Sequence, residues 1–300
     1  RDVLGSRGLG DVYKRQDYVE RQSGLCELAL HNFPLLGLGH IRIHNRDGVS
    51  YLQEMLPVDC LFLDPARRDG HGGKTVAISD CEPDVTVLEP LLVDKAKKVM
   101  VKLSPMLDLS LALNELQTVR AVHIVAVNNE CKELLLILQK ESVSSEVSIH
   151  CEHIAGNGES RHYTFTLKRE KTSPCLLADE VGTYLYEPNA AILKAGAFRS
   201  LTQTYPVAKL HLNSHLYTSV SLVPDFPGRR FRVEAVSGFG KKELKAFLMD
   251  MDKANITIRN FPLSVAELRK RLKLKEGGDD YIFATTLSGG QKVLIRGKKC

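Results

Sequence analysis

Runs of apolar residues alternate with amphipathic segments through the first half of the chain. Unbroken or alternating apolar runs predict strands, and Leu25, Leu28 and Ala29 recur at helical spacing before Pro34 and Gly37. Strands of this kind alternating with helices indicate an α/β fold with a parallel sheet buried on both faces. The predicted strands are "DYVE" (17–20), "HIRIHN" (40–45), "VDCLFLDP" (58–65) and "AKKVMVKLSP" (96–105).

The middle of the chain predicts antiparallel strands. "VHIVAVNNECKELLLILQK" (122–140) predicts a strand pair that closes the sheet, and residues 146–170 predict a hairpin around Gly156, Asn157 and Gly158. "YLYEPNAAILKAGAF" (184–198) predicts a helix that begins near Pro188.

The last quarter predicts a separate small α/β module. The predicted strands are "RRFRVEAV", "NITIRNF" and the two strands of a hairpin, "DYIFATTL" and "QKVLIRGKK". The stretch "KKELKAFLMDM" predicts a helix. A second helix begins at the capping box formed by Ser264 and Glu267, with Val265, Leu268 and Leu272 as its apolar side. Its polar side carries the cations Arg269, Lys270, Arg271 and Lys273.

Positive charge is concentrated in this module. The 300-residue chain has a net charge of +5, but residues 229–300 hold 17 Lys and Arg against 8 Asp and Glu, so the module carries +9 and the remainder −4. This asymmetry predicts a module that binds a polyanion, because each phosphate contact releases counterions. A merely soluble, charged surface is the alternative.

The remaining composition narrows the class of protein. Seven scattered cysteines without a Cys-x-x-Cys pair indicate reduced thiols rather than a zinc site or a disulfide framework, so we expect no metal. No run of about 18 apolar residues is present to span a bilayer, so we expect no membrane contact and a cytoplasmic location. A length of 300 residues with 43% hydrophobic side chains is enough for about two domains.

Residues 1–16 do not resemble the remainder of the chain. "DVYKRQ" back-translates into a nucleotide sequence that resembles the transposon end used in sequencing libraries. We interpret these residues as a translated adapter and expect the native protein to begin upstream of Asp17.

Three acids follow the predicted strands: Glu20, Asp47 and Asp64. Ligands of open α/β sheets bind beyond the carboxyl ends of the strands. A carboxylate there can accept both hydroxyls of a ribose, and another can accept an adenine amine, so the three predict a nucleoside pocket. The alternative is that each acid only caps the following helix.

The longer motifs resemble methyltransferases. Four motifs resemble the family of class I S-adenosylmethionine-dependent methyltransferases with a THUMP-like domain at the C-terminus. They are "DPARRD" followed by "GGKTVAISDCEPD" (64–84), "KLSPMLDL" (102–109), "VNNECKELLLIL" (127–138) and "YEPNAAILKAGAF" (186–198). The resemblance implies a Rossmann-like sheet lacking its first strand over 17–177, a small ferredoxin-like α+β domain and linker over 178–228, and a THUMP-like α/β module over 229–300.

The resemblance also implies roles for individual residues. Glu20 resembles the ribose-binding acid, Asp47 with Gly48 the adenine contact, and Asp64 a residue that faces both cofactor and acceptor. Asp64 and Arg67 are the implied catalytic pair. The implied substrate-binding residues are Pro65, Ala66, Arg68 and Lys102 at the cleft, and Arg269, Lys270, Arg271 and Lys273 on the basic helix.

Two departures from the family pattern change these expectations. Residues 17–300 contain neither the central first strand nor the glycine-rich loop that holds the methionine part of the cofactor, so we expect this chain to bind S-adenosylmethionine weakly or not at all. Ala66 and Arg67 stand where amino-methyltransferases have a second proline and an aromatic, which does not favour amine methylation. Arg67 can still stack on a base, and Arg67 and Arg68 can hold a phosphate; pairing with Asp69, Asp80 or Glu82 is the alternative.

The expected function is therefore methyl transfer from S-adenosylmethionine to RNA, either ribosomal or transfer RNA, delivered by the THUMP-like module. A non-catalytic RNA-binding or scaffold protein with a degenerate Rossmann domain is the second hypothesis. A nicotinamide oxidoreductase also uses a ribose-binding acid, but it leaves "DPARR" and the basic module unexplained.

Overall fold

The computed structural model describes residues 15–67, 77–140 and 146–300. Its strands are β1 (Asp17–Glu20), β2 (Arg42–Asn45), β3 (Val58–Leu63), β4 (Ala66–Arg67), β5 (Cys81–Glu82), β6 (Ala96–Leu103), β7 (Val119–Val127), β8 (Glu130–Leu138), β9 (Ser148–Ile154), β10 (Ser160–Thr166), β11 (Tyr184–Pro188), β12 (Ala208–Lys209), β13 (Tyr217–Ser219), β14 (Gly228–Ser237), β15 (Asn255–Arg259), β16 (Asp280–Thr286) and β17 (Lys292–Lys299).

Helices connect most of these strands. They are α1 (Ser23–Leu35), α2 (Gly48–Glu54), α3 (Val85–Lys95), α4 (Leu109–Glu115), α5 (Leu167–Thr172), α6 (Ala190–Ala195), α7 (Leu201–Thr204), α8 (Lys241–Phe247) and α9 (Val265–Leu272). Asp84 and Asp108 cap the starts of α3 and α4 by accepting hydrogen bonds from backbone N–H groups of the first turns.

A six-stranded mixed sheet forms the body of the first half, in the order β10-β9-β7-β8-β6-β3. The pairs β3–β6 and β7–β9 are parallel, whereas β6–β8, β7–β8 and β9–β10 are antiparallel. The predicted antiparallel pair and the hairpin are confirmed. Between β7 and β8 the chain reverses in the two-residue turn at Asn128 and Asn129, both with positive φ.

The first two strands form a separate parallel pair. β1 and β2 pair with each other over all four residues of each strand, and β3 ends the six-stranded sheet. Within the described part of the chain, no strand joins β1 to β3.

The two faces of the six-stranded sheet differ in burial. Val99, Val101 and Leu103 of β6 point into a core that α3 covers, while Met100 and Lys102 alternate with them towards solvent. Phe62 of β3 is 57% exposed. The prediction that both faces are buried is therefore wrong within the described residues.

Helix α1 buries small side chains instead of its leucines. Cys26 and Ala29 are buried, but Leu25 and Leu28, which recur at helical spacing with Ala29, are 41% and 57% exposed. Pro34 lies in the last turn, and the helix continues to Leu35. Proline lacks the N–H that would bond to the preceding turn, but it does not prevent the next residue from being helical.

A second sheet of seven strands extends through the ferredoxin-like segment and the basic module. Its order is β12-β13-β11-β14-β17-β16-β15, so β14 pairs with β11 on one side and β17 on the other. Gly228 starts β14, and a β-carbon there would overlap the carbonyl oxygen of Glu187 on β11. Only glycine allows this approach of the two backbones.

Helix α6 begins later than predicted. Pro188 is the last residue of β11, and the Asn189 side chain caps the helix by accepting a hydrogen bond from the Ile192 N–H. The helix packs against β7, β8 and β9, and Ile192 belongs to the same buried core as Val122 and Ile124. The ferredoxin-like segment is therefore packed directly onto the first sheet.

Candidate active site

A cavity of about 350 Å³ lies at the carboxyl ends of the parallel strands β3 and β6. Parallel neighbours end at the same edge of a sheet, so Asp64 after β3 and Lys102 near the end of β6 lie side by side. The lining residues are Asp64, Pro65, Cys81, Lys102, Leu103, Ser104, Pro105, Leu107, Lys132 and Glu133. Three of the predicted site residues, Asp64, Pro65 and Lys102, therefore meet in one cavity.

An ion pair occupies the centre of this lining. The Lys102 Nζ lies 2.8 Å from Asp64 Oδ2 and 3.9 Å from Glu133 Oε2. The hydrogen bond to Asp64 raises the pKa of Lys102 above its usual range, and the charge of Glu133 adds to this. Lys102 therefore remains an ammonium at neutral pH, able to hold a phosphate, while the carboxylates offer hydrogen-bond acceptors.

Glu20 and Asp47 lie at one edge of the separate pair β1–β2. Glu20 pairs with Asn45, and the Glu20 carbonyl accepts a hydrogen bond from the Arg46 N–H, which places Asp47 one residue further on. Glu20 Oε1 accepts from the Gln22 N–H, and Asp47 Oδ1 accepts from Ser50 at the start of α2. The backbone hydrogen bond from Ser50 lowers the pKa of Asp47, so this carboxylate is ionised.

Asp47 caps α2, as the alternative expected, whereas Glu20 accepts from the N–H of Gln22, the residue before α1, and does not cap that helix. Neither interaction uses the whole carboxylate. Each involves a single oxygen, Oε1 of Glu20 or Oδ1 of Asp47, so the second oxygen of each group takes no part in them. Neither residue lines the cavity at Asp64. Gly48 is the first residue of α2, and the space that a β-carbon would occupy there is open.

A chain of contacts connects the two edges. Arg21, which follows Glu20, donates a 3.0 Å hydrogen bond to Glu82, and Glu82 on β5 pairs with Ala66 on β4. The residues after β1 and after β3 are therefore connected through Glu82. Arg67 pairs through its backbone with Cys81; its side chain and Arg68, with Asp69, lie outside the described residues.

Several residues near the cavity were not predicted from the sequence. Glu133 and Lys132 come from the antiparallel strand β8, which starts at the edge where β6 ends. Lys194 of α6 donates a 2.6 Å hydrogen bond to the carbonyl of Leu107, a lining residue. Strand alternation alone gives no signal for these residues, because their position depends on which strands become neighbours.

The basic helix α9 has the predicted capping box and a narrower apolar side. Ser264 Oγ accepts from the Glu267 N–H, and Glu267 accepts from the Ser264 N–H in return. Leu268 and Leu272 are buried, but Val265 is 40% exposed because it lies in the first turn, away from the core.

The four cations of this helix have different environments. Arg269 is half-buried and donates a 3.1 Å hydrogen bond to the carbonyl of Ala254, which gives it a structural contact. Lys270, Arg271 and Lys273 are exposed, and Lys273 ends the helix in the left-handed conformation. The Arg271 guanidinium lies 5.2 Å from the centre of the Phe239 ring.

Residues 15–67, 77–140 and 146–300 lack a metal-ligand cluster and a membrane-spanning helix. No three His, Cys, Asp or Glu side chains are grouped there as a metal site would require. None of the helices in those ranges has both the length and the apolar character needed to cross a membrane.

An α/β sheet with a polar cavity at its strand ends, joined to a basic C-terminal module, is an architecture shared with methyltransferases. A ferredoxin-like domain family matches residues 184–227, and a THUMP domain-like family matches residues 228–299. The crystal structure of a candidate methyltransferase from Porphyromonas gingivalis W83 is similar, with a TM-score of 0.84 and 36% identity over 95% of this chain and 71% of that chain. No curated protein matches the chain. The chain belongs to the family of this methyltransferase, which has ferredoxin-like and THUMP-like domains at its C-terminus.

Proposed function

We propose that the protein transfers a methyl group from S-adenosylmethionine to RNA. The observation that carries the proposal is the cavity at the carboxyl ends of β3 and β6, where Asp64 and Lys102 converge beside the methyltransferase motif "DPARR". The related solved structure supports methyl transfer, and the THUMP-like module supports RNA as the acceptor.

The residues at both edges suit the proposed cofactor. The second oxygens of Glu20 and Asp47 can accept the ribose hydroxyls and the adenine amine, and carboxylates favour a cationic sulfonium nearby. When bound, S-adenosylmethionine supplies an electrophilic methyl group. Asp64 would orient the acceptor group and remove its proton, and Lys102 would keep that carboxylate in place.

Residues around the cavity can also position RNA. Lys102 and Lys132 line the cavity and Lys194 contacts the lining residue Leu107, and ammonium groups at these positions suit backbone phosphates. Arg67 and Arg68 are proposed to contact the acceptor nucleotide, and Lys270 and Lys273 to contact phosphates further along the RNA. Pro65 and Ala66 would set the direction in which Asp64 points.

Methyl transfer from labelled cofactor to total RNA tests the proposal. We expect protein expressed from the complete reading frame that contains residues 17–300 to label RNA, and Asp64→Ala to abolish labelling. RNA binding without any label transfer would instead support the scaffold hypothesis.

Calorimetry on the 300-residue chain tests the contribution of the missing loop. We expect weak or no binding of S-adenosylmethionine, because residues 17–300 lack the glycine-rich loop of the family. Micromolar affinity would show that the loop is not needed.

A further inference from the structure

We propose that Phe239, Phe261, Arg271 and Lys292 form a binding site for one unpaired nucleotide of RNA. The inference rests on the proposed function, because RNA is the acceptor assumed there. The site lies in the THUMP-like module and shares no residue with the cavity at Asp64.

The two phenyl rings form a stacked pair beside a second cavity. Their centroids lie 5.3 Å apart with an interplanar angle of 29°. The cavity measures about 310 Å³ and is lined by Phe239, Phe261, Pro262, Leu263, Arg271 and Lys292. A volume near 300 Å³ is at the lower end for ligand pockets, which suits one base and not a larger ligand.

The strand directions explain why these residues meet. β14 and β16 are both antiparallel to β17, and β15 is parallel to β16, so β14, β15 and β16 all end at one edge of the sheet. Phe239 follows β14 by two residues and Phe261 follows β15 by two residues. Lys292 begins β17 at that same edge. The ends of three strands therefore position Phe239, Phe261 and Lys292.

The rings are attached to the core but are not enclosed by it. Phe239 and Phe261 pack against the cluster that contains Phe247 and Leu268, and both keep part of their surface exposed. Other aromatics of the module are used differently: Phe283 is fully buried and Tyr281 packs on Phe231 at 4.9 Å. Phe239 and Phe261 therefore differ from these two aromatics, because both line a cavity and keep part of their surface exposed.

The cations around the rings match the charge and shape of a nucleotide. The guanidinium of Arg271 lies over Phe239, where a planar cation can also stack on a base. Lys292 is exposed, lines the same cavity and can contact a phosphate. An acidic peptide would use the two cations but would not need stacked rings, so the aromatic pair favours a nucleobase.

Fluorescence of a single-stranded RNA octamer containing 2-aminopurine tests this site on the full 300-residue chain. Stacking of the base on a ring quenches its fluorescence, so we expect quenching on binding. Phe239→Leu and Phe261→Leu should each weaken binding about fivefold or more and reduce the quenching, since base stacking is worth about 1–3 kcal/mol. Leucine keeps an apolar side chain, and thermal unfolding checks that each variant folds.

Matched controls separate stacking from charge. Lys298→Ala removes an exposed cation of the same module outside the cavity and should weaken binding without changing the quenching. An octamer with an abasic position in place of 2-aminopurine should bind the wild-type chain as weakly as the intact octamer binds the Phe239→Leu variant.

Each contrary result has a distinct meaning. Binding without quenching, or wild-type affinity in both phenylalanine variants, would overturn the nucleotide site while leaving RNA methylation intact. Binding of polyglutamate with the same sensitivity to the phenylalanine variants, and no binding of RNA, would overturn it in favour of an acidic peptide. Quenching by this chain, together with no methyl transfer by protein expressed from the complete reading frame, would uphold the site and refute the proposed function.

Discussion

Lys102 and Asp64 form one of two ion pairs that join the parallel strands β3 and β6 near their opposite ends. At the carboxyl end the Lys102–Asp64 distance is 2.8 Å, and the pair lines a cavity. At the amino end Lys97 lies 2.6 Å from Asp59, and both side chains are more than 80% exposed. The same chemistry therefore occurs at both ends, and the pair at the carboxyl end lines a pocket.

This pairing gives a direct test of the active site. Asp64→Asn keeps the shape of the side chain but removes its charge and its ability to take a proton, so we expect methyl transfer to fall about 100-fold or more. Asp59→Asn breaks the corresponding pair at the other end and should leave the rate unchanged. Equal losses in both variants, measured with labelled cofactor, would count against a catalytic Asp64.

The buried carboxylate of Glu187 should be important for stability. Its side chain is 2% exposed and accepts hydrogen bonds from Arg229 and Arg259, which join β11 to β14 and β15. Glu187→Gln removes the counter-charge of two guanidinium groups that are 35% and 36% exposed, so we expect the free energy of unfolding to fall by about 1.5–3 kcal/mol. Urea unfolding measures this change.

Glu82 provides the matched control for Glu187. It also accepts from an arginine, Arg21, but both side chains of that pair are more than half exposed. Glu82→Gln should have a much smaller effect, because solvent already screens the pair. A loss as large as that of Glu187→Gln would contradict the role assigned to burial.

His215 should make stability depend on pH. Burial lowers its pKa to about 4, and the nearby charges of Lys209 and Arg259 act in the same direction. The ring stacks on Phe198, and its buried Nδ1 has no hydrogen-bond partner among the described residues. The folded state therefore favours the neutral ring.

The direction of this pH dependence follows from the two pKa values. Below about 6.5 the unfolded chain gains a proton at His215 that the folded chain does not accept, so stability falls as the pH drops from 6.5 towards 4. His215→Asn removes the titration, and asparagine tolerates the positive φ found there. Urea unfolding at pH 7 and pH 4.5 should show a smaller difference for the variant; an unchanged difference would refute the assignment.

Gly228 should tolerate no side chain. A β-carbon there would overlap the backbone of Glu187 and Pro188, so Gly228→Ala must separate β11 from β14. We expect a loss of about 1–3 kcal/mol in the free energy of unfolding. Gly289→Ala, in the hairpin turn between β16 and β17, meets nothing within 4 Å and should be close to neutral. Chemical unfolding of both variants tests the comparison.

The sequence predicted most of the individual elements because their signals are local. The apolar run of β6, the capping box at Ser264 and the antiparallel pair β7–β8 each depend on residues a few positions apart. The helix predicted to start near Pro188 begins two residues later, at Ala190. The φ of proline also suits the end of a strand, and pairing with Gly228 makes Pro188 the last residue of β11.

The candidate site was predicted only in part. Asp64, Pro65 and Lys102 follow or end predicted strands, and the rule that ligands bind at the carboxyl edge brought them together. Glu133, Lys194 and the stacked pair Phe239–Phe261 were missed. They lie far from their neighbours in sequence, and no periodic signal marks them.

The sequence by itself determined the strands and helices, the acids at strand ends, the excess of positive charge in the last module and the family to which the chain belongs. The tertiary structure decided which strands became neighbours, which face of each sheet stayed open and which aromatic rings lined a cavity. The reason is physical: hydrogen bonds and side-chain periods act over a few residues, whereas burial is shared among segments that only meet when the chain has folded.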